Sequence, residues 1–250
     1  MLIFGLNPVL EALRAGRVRA VRVSSRGDGR MRAVLDRARE QGVRVERVDP
    51  AALDRDARGG VHQGIVADVR DPEPCSVEDL VFSASAAPLI VVLDGVEDPH
   101  NVGAILRTVD AVGGDGVVRQ SRRAAPLDAA AAKASAGAVA WVRVAEVVNI
   151  ARTLEELKAL NVWTVGLAGD APQTYDAVDL TLPTAIVLGA EGVGLRRLVR
   201  ERCDLTVSIP MAGHVESLNV SVAAGVVLFE ARRQRRIVPA HPGDLQKFPN

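Results

Sequence analysis

Residues 209–221 read Ile-Pro-Met-Ala-Gly-His-Val-Glu-Ser-Leu-Asn-Val-Ser, a run of small and polar residues set between two apolar segments. Residues 205–209 (LTVSI) have the length and β-branched content of a short buried strand, and residues 219–230 (NVSVAAGVVLFE) carry apolar side chains at helical spacing. The joint therefore lies at the carboxyl end of a strand, where open parallel sheets bind ligands. Ser217 and Asn219 are both N-cap types, so capping of the following helix accounts for them as readily as binding does.

Outward from that joint the chain alternates. Strands are expected at 89–93, 116–118, 141–144, 162–166, 185–188 and 205–209, with helical patterns at 102–112, 127–136, 151–160, 193–202 and 219–236. Alternation of this kind predicts an α/β fold built on a parallel sheet covered by helices. Residues 1–70 form a smaller α/β unit: 18–23, 43–48 and 61–69 read as strands, and Met31, Val34, Leu35 and Ala38 make a helical stripe between the first two. Residues 71–88, with Pro72, Pro74 and Pro88, read as a linker with room for a short helix at 76–82, and residues 237–250 as a flexible tail.

Composition narrows the function classes. At 48% hydrophobic and 25% charged residues, the 250-residue chain is a globular protein rather than a disordered one. Its longest apolar runs fall well short of the roughly 20 residues of a membrane span, and residues 1–10 lack a signal-peptide pattern. The expectation is a cytoplasmic protein with no membrane association. Two cysteines and four histidines without ligand spacing predict neither a disulfide framework nor a metal site. The formal net charge of zero conceals an asymmetry, because residues 1–70 hold 14 basic against 9 acidic side chains. That unit could attract a polyanion, although solvated arginines on a helix surface explain much of the excess.

Two further joints have the same construction as the first. Residues 186–194 (IVLGAEGVG) run a strand into a Gly-rich turn, and residues 91–107 (VVLDGVEDPHNVGAILR) run a strand into an acidic, Pro-containing loop and a helix. Neither contains the glycine pattern of a dinucleotide fold or a P-loop. The small residues Gly189, Ala190, Gly192 and Gly194 would allow close approach of the main chain to a ligand.

In order and spacing, these three segments resemble the three motifs of the SpoU (TrmH) family of RNA ribose 2′-O-methyltransferases, of the SPOUT class, over residues 89–236. The resemblance implies a deep C-terminal trefoil knot in the parallel sheet. It also implies S-adenosylmethionine as cofactor, at Leu188, Gly189, Ala190, Gly192, Ile209, Met211, Ser217 and Leu218, and a catalytic set of Asn101, Arg107, Glu191, Ser217 and Asn219. Residues 1–70, whose start at 3–13 (IFGLNPVLEAL) is similar to that of the L30e-like RNA-binding domain of rRNA-modifying members, are expected to bind substrate. A homodimer paired through the helices of the first and third motifs is implied as well. The expected substrate is rRNA, a guanosine of 23S rRNA; the alternatives are a ribose 2′-O-methyltransferase acting on tRNA, a thiostrepton-resistance type of rRNA methyltransferase, and a non-catalytic RNA-binding protein. Asn101 is expected to help orient Arg107, six residues on. Arg107 is expected to grip a phosphate and stabilise the developing alkoxide, because a guanidinium stays protonated and cannot act as base. The proton would leave to a phosphate oxygen, water or Glu191. The basic end of the last helix, RRQRR at 232–236, reads either as an RNA contact or as a complement to the helix dipole.

Overall fold

The computed structural model describes residues 1–25, 31–70, 73–122, 124–125 and 127–237. Of the tail expected at 237–250, residues 238–250 lie outside the described residues, and Ile237 is the last residue of the closing helix.

The first unit is a four-stranded sheet with three helices. In chain order it comprises β1 (Leu2–Phe4), α1 (Leu6–Arg14), β2 (Val18–Ser24), α2 (Arg32–Glu40), β3 (Arg44–Val48), α3 (Pro50–Ala57) and β4 (Ile65–Val69). The strand order is β1-β4-β2-β3, with β2 and β3 parallel and β4 antiparallel to both of its neighbours. The stripe expected between the strands is buried on α2 through Val34 and Ala38, with Met31 just before it. The helix α3 starts where local chemistry dictates: Asp49 accepts the Ala51 N–H, Pro50 occupies the first turn, and Arg58 ends it in the left-handed conformation.

The second unit begins with α4 (Val77–Phe82), inside the stretch expected to be a linker. A reciprocal Ser76–Asp79 capping box starts it, and Leu80 is fully buried in the core of the second sheet. Then follow β5 (Leu89–Asp94), α5 (Pro99–Val112), β6 (Gly116–Gln120), α6 (Ala129–Ala134), β7 (Val144–Val147), α7 (Ile150–Ala159), β8 (Trp163–Leu167), β9 (Gln173–Thr174), β10 (Thr184–Gly189), α8 (Arg197–Arg202), β11 (Leu205–Ser208) and α9 (Val220–Ile237). All seven strands are parallel, in the order β7-β6-β5-β10-β8-β11-β9. Every residue of β5 is buried, as in a sheet covered on both faces. Val91 and Leu93 point into the core shared with α5 and α9; Ile90 and Val92 point to the opposite core, with α4 and α7.

Two expected boundaries moved for identifiable reasons. Residues 138–140 form a 3-10 turn that delays β7, and the indole of Trp141 donates to Glu11 of α1 at 3.1 Å. Gly192 and Gly194 have φ of 74° and 71°, left-handed values that keep residues 193–196 out of the helix, so that α8 starts at Arg197. The two units pack through the same region. The Arg17 guanidinium donates to the carbonyls of Val139 (3.1 Å) and Ala140 (3.3 Å), and a Cβ at Gly137 would lie 2.5 Å from that of Glu11. No helix among the described residues is long and apolar enough to cross a membrane.

The basic end of α9 divides its labour. Arg233 pairs with Glu230 at 2.7 Å, whereas Arg235 turns inward and donates to four main-chain carbonyls: Leu180 (2.9 Å), Leu182 (2.8 Å), Pro88 (3.1 Å) and Ala87. It thereby staples the closing helix to the segments that enter β5 and β10. Arg235→Ala strands those carbonyls and is expected to lower the urea midpoint by the equivalent of about 2–3 kcal/mol. Arg235→Lys should recover little of it, because a single ammonium cannot span four acceptors.

Candidate active site

In a parallel sheet every strand delivers its following loop to the same edge. Here β5, β10, β8 and β11 end side by side, and the loops after them meet. The last residue of β10, Gly189, is in register with the last residue of β5, Asp94. After Gly189 the chain folds back on itself: Ala190 and Gly194 form an antiparallel bridge, with the Gly194 N–H on the Ala190 carbonyl at 2.8 Å. A Cβ at Gly189 would lie 2.1 Å from the carbonyl carbon of Gly194. The glycine is thus required by the protein's own backbone.

The loop between β11 and α9 ends at Asn219, which caps the helix: its Oδ1 accepts the N–H of Ser221 (2.9 Å) and Val222 (3.4 Å) and the Ser221 hydroxyl. Capping fixes the direction of the amide. Its Nδ2 must point away from the helix, and it donates to Asn101 Oδ1 at 2.9 Å and to Glu191 Oε1. One carboxamide therefore joins all three sequence motifs. Capping and site-building are a single arrangement here.

On α5, Asp98 is the N-cap, accepting the His100 N–H at 2.9 Å, and Pro99 occupies the first turn. Asn101 is buried and Arg107 exposed. The expected orienting contact between them is absent, because six residues advance a helix by about 600°, leaving the two side chains on faces roughly 120° apart. Asn101 serves Asn219 instead. Arg107 has no hydrogen bond or ion pair among the described residues, leaving a free guanidinium on the surface.

Beneath the loops lies a cavity of 350 Å³. Leu188, Gly189, Ala190, Gly192, Ile209, Met211, Ser217 and Leu218, the eight positions expected for a cofactor, all line it, together with Glu191. Asn101, Arg107 and Asn219 stand outside its lining. The wall that sequence reasoning missed is Leu167–Asp170, the end of β8 and the loop after it. Its signal was present, since Gly169 follows the strand expected at 162–166 and so sits at a carboxyl end. Asp170 is gripped by Arg200 through two contacts, at 2.9 and 3.0 Å, which hold its carboxyl below the usual range. Arg200 lines the cavity as well and offsets Asp170, so it is Glu191 and Glu216 that leave the rim acidic and favour a cationic guest. Burial pushes the Cys203 thiol up to about 12, which disfavours its thiolate at neutral pH.

Residues 88–229 match the model of the SpoU rRNA methylase family, more than half of the chain. The chain belongs to that family. Residues 2–75 match a second model, RNA 2′-O ribose methyltransferase substrate binding. Among curated relatives, the 23S rRNA (guanosine-2′-O-)-methyltransferase RlmB of Photobacterium profundum is 44% identical over 241 residues, covering 94% of this chain and 98% of the relative. An uncharacterized tRNA/rRNA methyltransferase of Mycolicibacterium gilvum is 46% identical, over 94% of this chain and 77% of its own length. Among solved structures, the SpoU methyltransferase AviRb of Streptomyces viridochromogenes in complex with AdoMet superposes with a TM-score of 0.80 at 28% identity, over 94% of this chain and 90% of that one.

The backbone contact at Gly189 makes a specific demand. Gly189→Ala is expected to lower the thermal midpoint by several degrees, an overpacking penalty of about 1–3 kcal/mol. Gly213→Ala, where an added Cβ meets nothing within 4 Å, should leave the melt unchanged.

Proposed function

We propose that this protein transfers a methyl group from S-adenosylmethionine to a ribose 2′-hydroxyl of rRNA, at a guanosine of 23S rRNA, working as a homodimer in the cytoplasm. The observation that carries the reading is the Asn219 carboxamide, which draws Asn101 and Glu191 together beside the cavity. The cavity suits the cofactor in volume, in its main-chain-rich glycine wall and in its acidic rim, which complements a sulfonium and an ammonium. Bound there, S-adenosylmethionine supplies an electrophilic methyl group.

The chain's own residues do the rest. Arg107, unpaired and permanently charged, grips a phosphate of the RNA and stabilises the oxyanion that develops on the ribose. Glu191 is held in one orientation by Asn219 and is the protein's own candidate for the proton, beside a phosphate oxygen and water. Ser217, exposed at the mouth, is available to the ribose or to the cofactor carboxylate.

The first unit supplies RNA affinity, a role supported by its match to the substrate-binding model, its 14 basic residues and its packing against the catalytic unit through Arg17 and Trp141. Its L30e-like character is supported by the β1-β4-β2-β3 sheet with helices between the strands. A division at residues 1–70, 71–88 and 89–236 belongs to the same reading, with α4 assigned to the catalytic core. The trefoil knot is supported by the insertion of β10 between β5 and β8, and by the return of the chain after β11 to set Asn219 against Asn101. Dimerisation through α5 and α9 is supported by Val222 and Phe229, apolar residues 52% and 55% exposed on α9, which packs against α5.

Transfer of labelled methyl to 23S rRNA isolated from cells lacking this gene is the direct test, with tRNA as the competing substrate; labelling of tRNA alone would overturn the rRNA assignment. Arg107→Ala is expected to lower kcat/KM at least about 10³-fold while leaving the calorimetric Kd for S-adenosylmethionine within a few fold. Ala223→Leu, which fills the cavity from the first turn of α9, should abolish S-adenosylmethionine binding in a folded protein.

A further inference from the structure

The loop from Ala190 to Leu195 forms much of one wall of the cavity, yet Glu191–Gly194 are exposed and two of the residues are glycines with positive φ. Something must hold it closed. Its entrance is fixed by the β5–β10 register, and its neck by the Ala190–Gly194 bridge. The exit is fixed by a residue that lies within the first motif segment but has no role assigned from sequence. Asp94, at the end of β5, is fully buried, and a buried carboxylate is tolerated only when its charge is paired and hydrogen-bonded. Its Oδ2 accepts the backbone N–H of Arg196 at 2.8 Å; its Oδ1 accepts Nε of the same residue at 2.6 Å and also Nη2. Both oxygens are thus spent on one residue, the first after the loop.

We propose that Asp94 and Arg196 are the clasp of the cofactor loop, positioning residues that hold 190–195 in its binding-competent shape. The inference rests on reading the cavity as the cofactor site. The pair adds little to the sheet, because β5 and β10 are already in register over six residues from Thr184 to Gly189. It adds little to α8 as well, since the Arg196 side chain does not cap that helix. What it does is tie the loop's exit to the strand beside the loop's entrance. Without it the closed loop becomes one conformer among several, and apparent affinity falls by the fraction that remains competent.

The full-length protein tests this with S-adenosylmethionine in a calorimeter and rRNA in a filter-binding assay. Arg196→Ala is expected to raise the Kd for S-adenosylmethionine about tenfold, ~1.4 kcal/mol, with RNA affinity unchanged within about twofold. Because only the population of the closed loop shifts, kcat should return to the wild-type value at saturating S-adenosylmethionine. Arg196→Lys, which keeps the charge and the backbone N–H but not the fork, should fall between the two. Asp94→Asn should accelerate tryptic cleavage after Arg197 in the free protein; if that variant does not fold, Arg196→Lys carries the same measurement. Wild-type cofactor affinity in a cooperatively melting Arg196→Ala protein overturns the proposal, as does a kcat that stays depressed at saturation. Loss of RNA binding alone does so too, by making Arg196 an RNA contact. If Ala223→Leu leaves S-adenosylmethionine binding intact, the cavity reading fails; if Ala223→Leu abolishes it while Arg196→Ala is silent, the clasp alone fails.

Discussion

A sheet whose strands all run the same way places every strand-to-helix loop at one edge, and this protein depends on that constraint. Because β10 lies between β5 and β8, and β11 beyond β8, the loops that follow β5, β8, β10 and β11 have no choice but to converge. Chemistry that needs residues more than a hundred positions apart in the chain becomes local there. The helices on the two faces serve this end: they bury all of β5 and β10 as far as Leu188, and the β5–β10 register sets the height at which Asp94 and Gly189 stand.

On that edge, polar side chains do what apolar packing cannot. The Asn219 carboxamide uses its oxygen on the start of α9 and its nitrogen on Asn101 and Glu191, so helix initiation and site assembly are one event. Asp94 does the equivalent for the glycine loop through Arg196, and Arg235 does it at the opposite edge by gathering the carbonyls that lead into β5 and β10. Arg107 is the exception, a guanidinium left without a protein partner on an otherwise ordered helix. Its exposure without a partner, outside the cavity's lining, supports the contact to a polyanionic substrate proposed for it.

Apolar periodicity carried the alternating order of the catalytic unit, because strands buried on both faces leave runs such as LIVVL that nothing on a surface would require. The glycine-rich joint at 186–194 was equally legible. The two-residue strand β9 was not, being too short to have a period, nor was the delay of β7, which arises where Trp141 and the turn before it meet α1 from the other unit. The sequence held the answer for Asn101 and Arg107, since a spacing of six puts them on different helix faces; proximity in the chain was the wrong guide. The Asp94–Arg196 pair joins residues 102 apart, and no local pattern marks either as a partner of the other. The importance of Gly189 was apparent from sequence, but one of its causes was not: an added Cβ would meet the backbone of Gly194.

Whether the loops at the carboxyl edge of the sheet form one cofactor-binding unit is decided by hydrogen exchange of the full-length protein with and without saturating S-adenosylmethionine. Slowed exchange is expected to concentrate in residues 167–171, 189–196 and 209–219, three segments separated in sequence and brought together at this edge. Protection centred on the first unit, or on one of the three loops while the other two exchange unchanged, would contradict a single cofactor-binding unit.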